Sequence, residues 1–229
     1  SGLIDVGNLL PLYFPAELPN FALAGELSLS GKDPHAMGAA LTEYTVNCAS
    51  CQKEMADLGI VYLGSGSSDP YMLLTKTPVK TAEDLKGLRL RSGGAPFSRW
   101  AENFGAVPVS ISVLETFEAM SQGTIDGTMA SIGDLLAFRL VELAKDVTAV
   151  PLGTYFSTSN FATAKATWAD MSTEERGALM RAANRANANF TQRWGYEFPA
   201  IAEKAARDQG LTFVEADPAL VESAAAFGV

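Results

Sequence analysis

Residues 78–131, PVKTAEDLKGLRLRSGGAPFSRWAENFGAVPVSISVLETFEAMSQGTIDGTMAS, constrain the fold more than any other part of the chain. A T-x-x-D start at Thr81 and Asp84 leads through Gly87 into a strand over 88–91. The strand ends on Arg91, and Ser92-Gly93-Gly94 follows, a turn whose bare backbone permits close approach. A helix over 97–104 stops at Gly105, and a second strand spans 106–109. Ser112 and Glu115 form a capping box for the next helix, which Gly123 ends ahead of Asp126-Gly127. Two strands joined through a helix make a βαβ unit, with Arg91 at the carboxyl end of the first strand. Open α/β sheets bind their ligands at that end, so Arg91 is expected to hold an anion.

The rest of the chain has to supply a cavity around such a group. At 229 residues and 48% hydrophobic it can bury a sizeable core, as one large domain or two modest ones. A net charge of −9 argues against nucleic acid and anionic membrane surfaces as partners, yet one buried arginine can reverse that sign locally. No apolar run approaches the roughly 20 residues needed to span a bilayer. No leader is visible. The chain opens on a strand-like G-L-I-D-V-G at residues 2–7, as a mature or truncated product would.

Cys48 and Cys51 form a C-x-x-C inside a long helical pattern over 33–58, started by Asp33 and Pro34. Thioredoxin-like chemistry places that motif at a helix start after a strand, and zinc needs more ligands than His35 can add. Two readings stay open: a local disulfide, which is preferred, and a pair of core thiols.

Before that helix, residues 11–19 are rich in Pro and aromatics and suit either a pocket wall or a rigid crossover. A strand over 60–63 is followed by Gly64-Ser65-Gly66-Ser67-Ser68-Asp69-Pro70, with the composition of a flexible hinge or interdomain crossing; it lacks the Gly-Lys-Ser/Thr ending of a phosphate loop. A strand-like run covers 71–75. Beyond the βαβ unit the pattern predicts a helix over 132–144, strands over 152–156 and 159–164, and a capped helix from Ser172 that continues toward residue 208. A last strand over 211–214 and a helix from Asp217-Pro218 complete the chain.

The succession Pro78, Asp84-Leu85-Lys86-Gly87-Leu88-Arg89-Leu90-Arg91, Gly105-Ala106-Val107-Pro108-Val109, Glu115-Thr116-Phe117-Glu118-Ala119 and Asp126-Gly127 resembles the solute-binding proteins of tripartite ATP-independent periplasmic (TRAP) transporters. Residues 2–7 and Trp168 with its downstream helix share the resemblance. It implies an α/β, two-lobed periplasmic-binding-protein fold: mixed sheets flanked by helices, a long bridging helix and a ligand cleft between lobes. Lobe one would hold 1–69 and 156–195, lacking the family's usual N-terminal strands. Lobe two would hold 70–155 and 196–229. The implied function is extracytoplasmic, in the periplasm: capture of a small carboxylate and delivery to the transporter's membrane subunits, without catalysis or cofactor.

Residue by residue, Arg91 matches the family's carboxylate-binding arginine, a role its planar charged fork suits. Outside the motif, a surface ion pair would be the plainer reading. Other positions depart from the family. Ala130, followed by Ser131, stands where several members carry asparagine; Tyr71 stands where sugar-acid binders carry a second arginine; Val113 replaces a common aromatic. One fixed charge in a less polar pocket points to a monocarboxylate or an acid with an apolar or aromatic body. Tyr155 and Phe156, at the second lobe crossing, suit either a ligand hydrogen bond or core packing. Trp100 reads as core and Asp126 as part of a tight turn with Gly127. Some relatives bind substrate with a metal ion, but no carboxylate cluster calls for one here.

Two other classes compete. An enzyme on the same fold would need a nucleophile–base pair or paired carboxylates near Arg91, and no Ser/His or Cys/His set presents itself. A sensory domain would bind the same acid and signal instead of delivering it.

Overall fold

The computed structural model describes residues 4–155 and 159–227. In chain order the elements are β1 (Val6–Asn8), α1 (Pro19–Gly25), α2 (Pro34–Asn47), α3 (Ala49–Asp57), β2 (Ile60–Gly66), β3 (Met72–Thr75), β4 (Arg89–Ser92), α4 (Ala95–Asn103) and β5 (Val107–Ser110). They continue with α5 (Thr116–Ser121), β6 (Gly127–Ala130), α6 (Asp134–Ala137), β7 (Asp146–Thr148), β8 (Ser159–Ala164), α7 (Lys165–Asp170) and α8 (Thr173–Gln192). After a π-helical segment (Arg193–Glu197) come α9 (Phe198–Asp208), β9 (Thr212–Val214) and α10 (Pro218–Phe227).

The strands form two sheets. A three-stranded antiparallel sheet has the order β1-β8-β2, and a six-stranded mixed sheet has the order β5-β4-β6-β3-β7-β9. The βαβ unit read from residues 78–131 is present: β4 runs parallel to β5, with Arg91 opposite Val109, and parallel to β6, with Arg91 opposite Thr128. Helix α4 covers this region by burying Phe97, Trp100 and Ala101 against Leu90 and Leu73. Trp100 is therefore core, as its sequence context implies.

Two segments cross between the sheets, 67–71 leaving β2 and 149–155 leaving β7. They hydrogen-bond to each other: Ser68 N–H donates to the Tyr155 carbonyl (3.2 Å) and Tyr71 N–H to the Gly153 carbonyl (2.8 Å). Thr154 bridges Pro70 and also donates to the Gly31 carbonyl at 2.9 Å.

Several boundaries differ from expectation, each for a local reason. The helix expected over 33–58 is two helices, because Cys48 is extended and its Sγ accepts from Cys51 N–H, starting α3 afresh. The C-x-x-C thus lies at a helix start, and the structure joins its thiols in a disulfide. The helix expected over 132–144 breaks at Arg139, whose φ of 58° is left-handed; its guanidinium pairs with Glu142 and lies 5.1 Å from the Phe117 ring centroid. The hinge-like 64–70 is not a loose turn. Gly64, Ser65 and Gly66 complete β2, and Ser67, Ser68 and Asp69 are buried. Residues 152–155 contribute only the Thr154 bridge where a strand is expected. The opening strand is shifted to Val6–Asn8. Asp126 does more than shape a turn: it binds Arg89 through the backbone N–H (3.0 Å), Nε (2.9 Å) and Nη2 (2.6 Å), stitching β4 to the start of β6.

Candidate ligand-binding site

Arg91 is the only fully buried arginine or lysine among the described residues, with 1% of its surface exposed. Strand β4, second from the edge of the six-stranded sheet, carries it inward, and Gly93 lies against the guanidinium: a Cβ there would be 3.4 Å from Nη1. The arginine's Nε donates to the Ile111 carbonyl (3.0 Å) and Nη2 to the Tyr13 hydroxyl (2.8 Å). Its Nη1 is buried with no hydrogen-bond partner among the described residues, and the group forms no ion pair there. A buried guanidinium with an idle nitrogen is costly unless an anion completes it.

Against this group lies a cavity of about 430 Å³. Tyr13 and Val113, which touch each other through the tyrosine hydroxyl and the Val113 N–H (3.3 Å), form the wall between the arginine and the cavity. Tyr71 and Tyr155 form a second wall, their rings stacked at 5.4 Å with Phe97 behind Tyr71 at 5.0 Å. Phe190 and Trp194, stacked at 5.7 Å, form a third. Trp194 comes close because Gly133 has no side chain: a Cβ there would be 3.4 Å from the indole and 2.9 Å from Phe198. Ligand cavities commonly have this makeup, apolar surface with few directed polar groups.

The remaining polar groups come from the turn between β6 and α6. Trp194 Nε1 donates to Ser131 Oγ at 3.2 Å, and Asp134 accepts from Ser131 N–H at 3.1 Å. Asp69 accepts from Ile132 N–H at 3.3 Å, and its other oxygen is buried without a partner among the described residues. Burial pushes the Asp69 carboxyl up to about 7 and the Asp134 carboxyl up to about 6, the nearby Arg91 charge holding the latter down. Burial likewise raises the phenols of Tyr71 and Tyr155 above their usual range.

Asp69 makes the fold pH-dependent. Its proton is held more tightly in the folded protein than in the unfolded chain, where the group titrates near 3.8. Between those values folding takes up a proton, so this residue's contribution is complete below the lower value and is lost as pH rises through the upper one. Asp69→Asn keeps an acceptor for Ile132 N–H and is expected to gain about 3 kcal/mol on the wild type between pH 4.5 and 7.5. Urea unfolding of both proteins at the two pH values checks this; parallel pH profiles would refute it.

Of the residues singled out from sequence, Tyr71, Val113, Ser131 and Tyr155 line one cavity, and Arg91 lies behind its Tyr13–Val113 wall. Ala130 does not join them: it is fully buried in the core with Leu74 and Ile132, because strand alternation turns it away from Ser131's side. Phe156 lies outside the described residues. Sequence reasoning missed two carboxyls here: Asp134 lines the cavity, and Asp69 accepts from Ile132 N–H in the turn that carries Ser131. The Ser131-x-x-Asp134 spacing after β6 is a helix-start signal that could have revealed Asp134. Tyr13 comes from the Pro- and aromatic-rich stretch 11–19, for which a pocket wall is one of two readings; Trp194 has no comparable mark.

A groove of about 490 Å³ between α2 and α8 contains no arginine or lysine to meet a carboxylate. His35 lies there, beside Gln192 (3.2 Å) and stacked on Tyr196, away from the aromatic cavity. No helix among the described residues is long and apolar enough to cross a membrane.

A family model described as bacterial extracellular solute-binding protein, family 7 (DctP), matches residues 32–226. A solute-binding protein of Albidiferax ferrireducens is 33% identical over 104 residues, 45% of this chain and 31% of that protein. One of Roseobacter denitrificans is 27% identical over 164 residues, 68% of this chain and 47% of that protein. These matches span less than half the length of the curated relatives.

Among solved structures, a TRAP periplasmic solute-binding protein of Bordetella bronchiseptica with bound mandelate superimposes with a TM-score of 0.82 at 25% identity, covering 99% of this chain and 71% of that one. A marine-metagenome TRAP solute-binding protein specific for aromatic acids, in complex with 3-hydroxybenzoate, gives 0.82 at 26% identity, covering 99% and 70%. A galacturonate-bound TRAP protein of Xanthobacter autotrophicus, at 19% identity and a TM-score of 0.78 over 98% and 74%, shares the fold.

Proposed function

Because the chain belongs to family 7 of the bacterial extracellular solute-binding proteins, we propose that it captures a small organic acid in the periplasm and delivers it to the membrane subunits of a TRAP transporter. The observation that carries this reading is the unpartnered Nη1 of buried Arg91 beside an aromatic-walled cavity. A ligand carboxylate fits there as the missing partner, taking Nη1 and sharing or displacing the Tyr13 hydroxyl on Nη2. Tyr71, Tyr155, Phe190 and Trp194 then receive an apolar or aromatic body.

Mandelate and 3-hydroxybenzoate, bound by the two relatives named above, are acids of that shape. The two lobes are assigned as 1–69 with 156–195 and 70–155 with 196–229. In support, every strand of the three-stranded sheet comes from the first set and every strand of the six-stranded sheet from the second. Tyr13 and Arg91 belong to opposite lobes, so a carboxylate between them favours the closed arrangement by its differential affinity.

Calorimetric titration and thermal melts with phenylacetate, mandelate, 3-hydroxybenzoate and aliphatic monocarboxylates test the reading. A fitting acid at a hundredfold excess over its Kd is expected to stabilise the protein by about 2.7 kcal/mol. If no carboxylate binds or raises the melting temperature, capture of an organic acid is wrong.

A further inference from the structure

Asp134 has no role in holding a carboxylate; an anionic group in the wall of an anion site works against such a ligand. Its position therefore calls for a reason. Asp134 is buried, with 6% of its surface exposed, yet it borders the aromatic cavity along with Phe138 and Trp194. Among the described residues it makes no ion pair with Arg91 or any other cation. One of its oxygens accepts from the Ser131 N–H at 3.1 Å. The Ser131 hydroxyl, held by Trp194 Nε1, adds a second dipole beside it.

A purely structural acceptor for Ser131 N–H would not need a charge, since asparagine serves as well at a turn. A carboxyl facing a ligand cavity instead presents an acceptor that water or a ligand donor must meet, and leaving it unmet is costly. Asp134 lines the cavity and Arg91 lies just behind its Tyr13–Val113 wall, close enough for the arginine's charge to act on the aspartate. A ligand gripped by its carboxylate at Arg91 can thus reach Asp134 with a second group.

Resting on the carboxylate-capture reading above, we infer that Asp134 is a specificity-determining residue, which accepts a hydrogen bond from a hydroxyl on the ligand body and so selects hydroxylated acids over their deoxy counterparts. Apolar walls alone discriminate poorly against a missing hydroxyl, whereas a buried acceptor left unpaired rejects the analogue lacking it. The preferred class is then a hydroxy-monocarboxylate with an aromatic or apolar body.

Titration calorimetry with phenylacetate, mandelate, 3-hydroxyphenylacetate, 4-hydroxyphenylacetate and phenylglycine against wild type, Asp134→Asn, Asp134→Ala and Arg91→Ala tests this. Wild type is expected to bind at least one hydroxylated acid about 10- to 100-fold more tightly than phenylacetate. Asp134→Ala is expected to bring that ratio to near one while still binding phenylacetate, and Asp134→Asn to retain part of it with a melting temperature no lower than that of wild type. Arg91→Ala is expected to weaken all the acids together. Tight phenylacetate binding with no hydroxyl preference, or a preference that survives in Asp134→Ala, overturns the inference and leaves carboxylate capture standing. A preference for phenylglycine over every hydroxy acid also overturns it, by assigning Asp134 to an ammonium group. If none of the acids binds wild type, both readings fall.

Discussion

Arg91→Ala is expected to weaken carboxylate binding by about 30- to 1000-fold, or about 2–4 kcal/mol, with little change in melting temperature. The two effects separate because of how the residue is buried. Its guanidinium has no carboxylate partner in the described protein, so removing it strands no opposite charge in an ion pair. What it leaves behind is the Ile111 carbonyl and the Tyr13 hydroxyl, two neutral groups that each lose one donor. The ligand, by contrast, loses its only cation. Arg91→Lys keeps the charge but not the planar fork, and its compact ammonium cannot serve Ile111, Tyr13 and a ligand together. It is expected to fall between wild type and alanine. Titration calorimetry, with circular dichroism to confirm folding, reads all three; equal affinities would remove Arg91 from the site.

Gly153→Ala is expected to destabilise the protein by roughly 2–5 kcal/mol and to weaken ligand binding with it. Gly153 has a φ of 72°, and a Cβ there would be 2.0 Å from the Ser28 carbonyl oxygen and 2.6 Å from Leu29 backbone atoms. No side-chain rotation relieves a contact between a Cβ and main chain. Segment 28–31 or the crossing must therefore move, and the crossing holds Tyr71 through the Gly153 carbonyl and presents Tyr155 to the cavity. Gly59→Ala is the natural control: its φ is 71°, but a Cβ there meets nothing within 4 Å. That variant is expected to lose only about 1 kcal/mol, from backbone strain alone. Urea unfolding of the two variants measures the difference; equal losses would mean the crossing is not tightly seated.

These two residues also mark how far the sequence could be read. Arg91 sits in a local pattern, a strand ended by an arginine and glycines and followed by a helix and a second strand, and local pattern is what a sequence displays. The same holds for the capping boxes at Ser112 and Ser172, both of which the structure contains. Gly153 carries no such pattern, since its need for a bare Cα arises from Ser28 and Leu29, far away in the chain. Helix length failed at 33–58 and 132–144 because propensity extends a helix through Cys48 and Arg139. The disulfide with the cap at Cys48, and the left-handed backbone at Arg139, stop it.

The sequence by itself determined the βαβ unit, the family resemblance and the position of the arginine proposed to meet an anion, because each rests on residues within a few positions of one another. Only the tertiary structure decided what surrounds that charge. Tyr13 lies 78 residues from Arg91 and is joined to it by one hydrogen bond, and Trp194 lies 63 residues from the Ser131 it holds. Asp69 and Asp134 acquire their raised pKa values by desolvation, which no string of residues displays. Burial is a property of the assembled chain, so the polarity of the cavity became legible only when the distant segments were brought together.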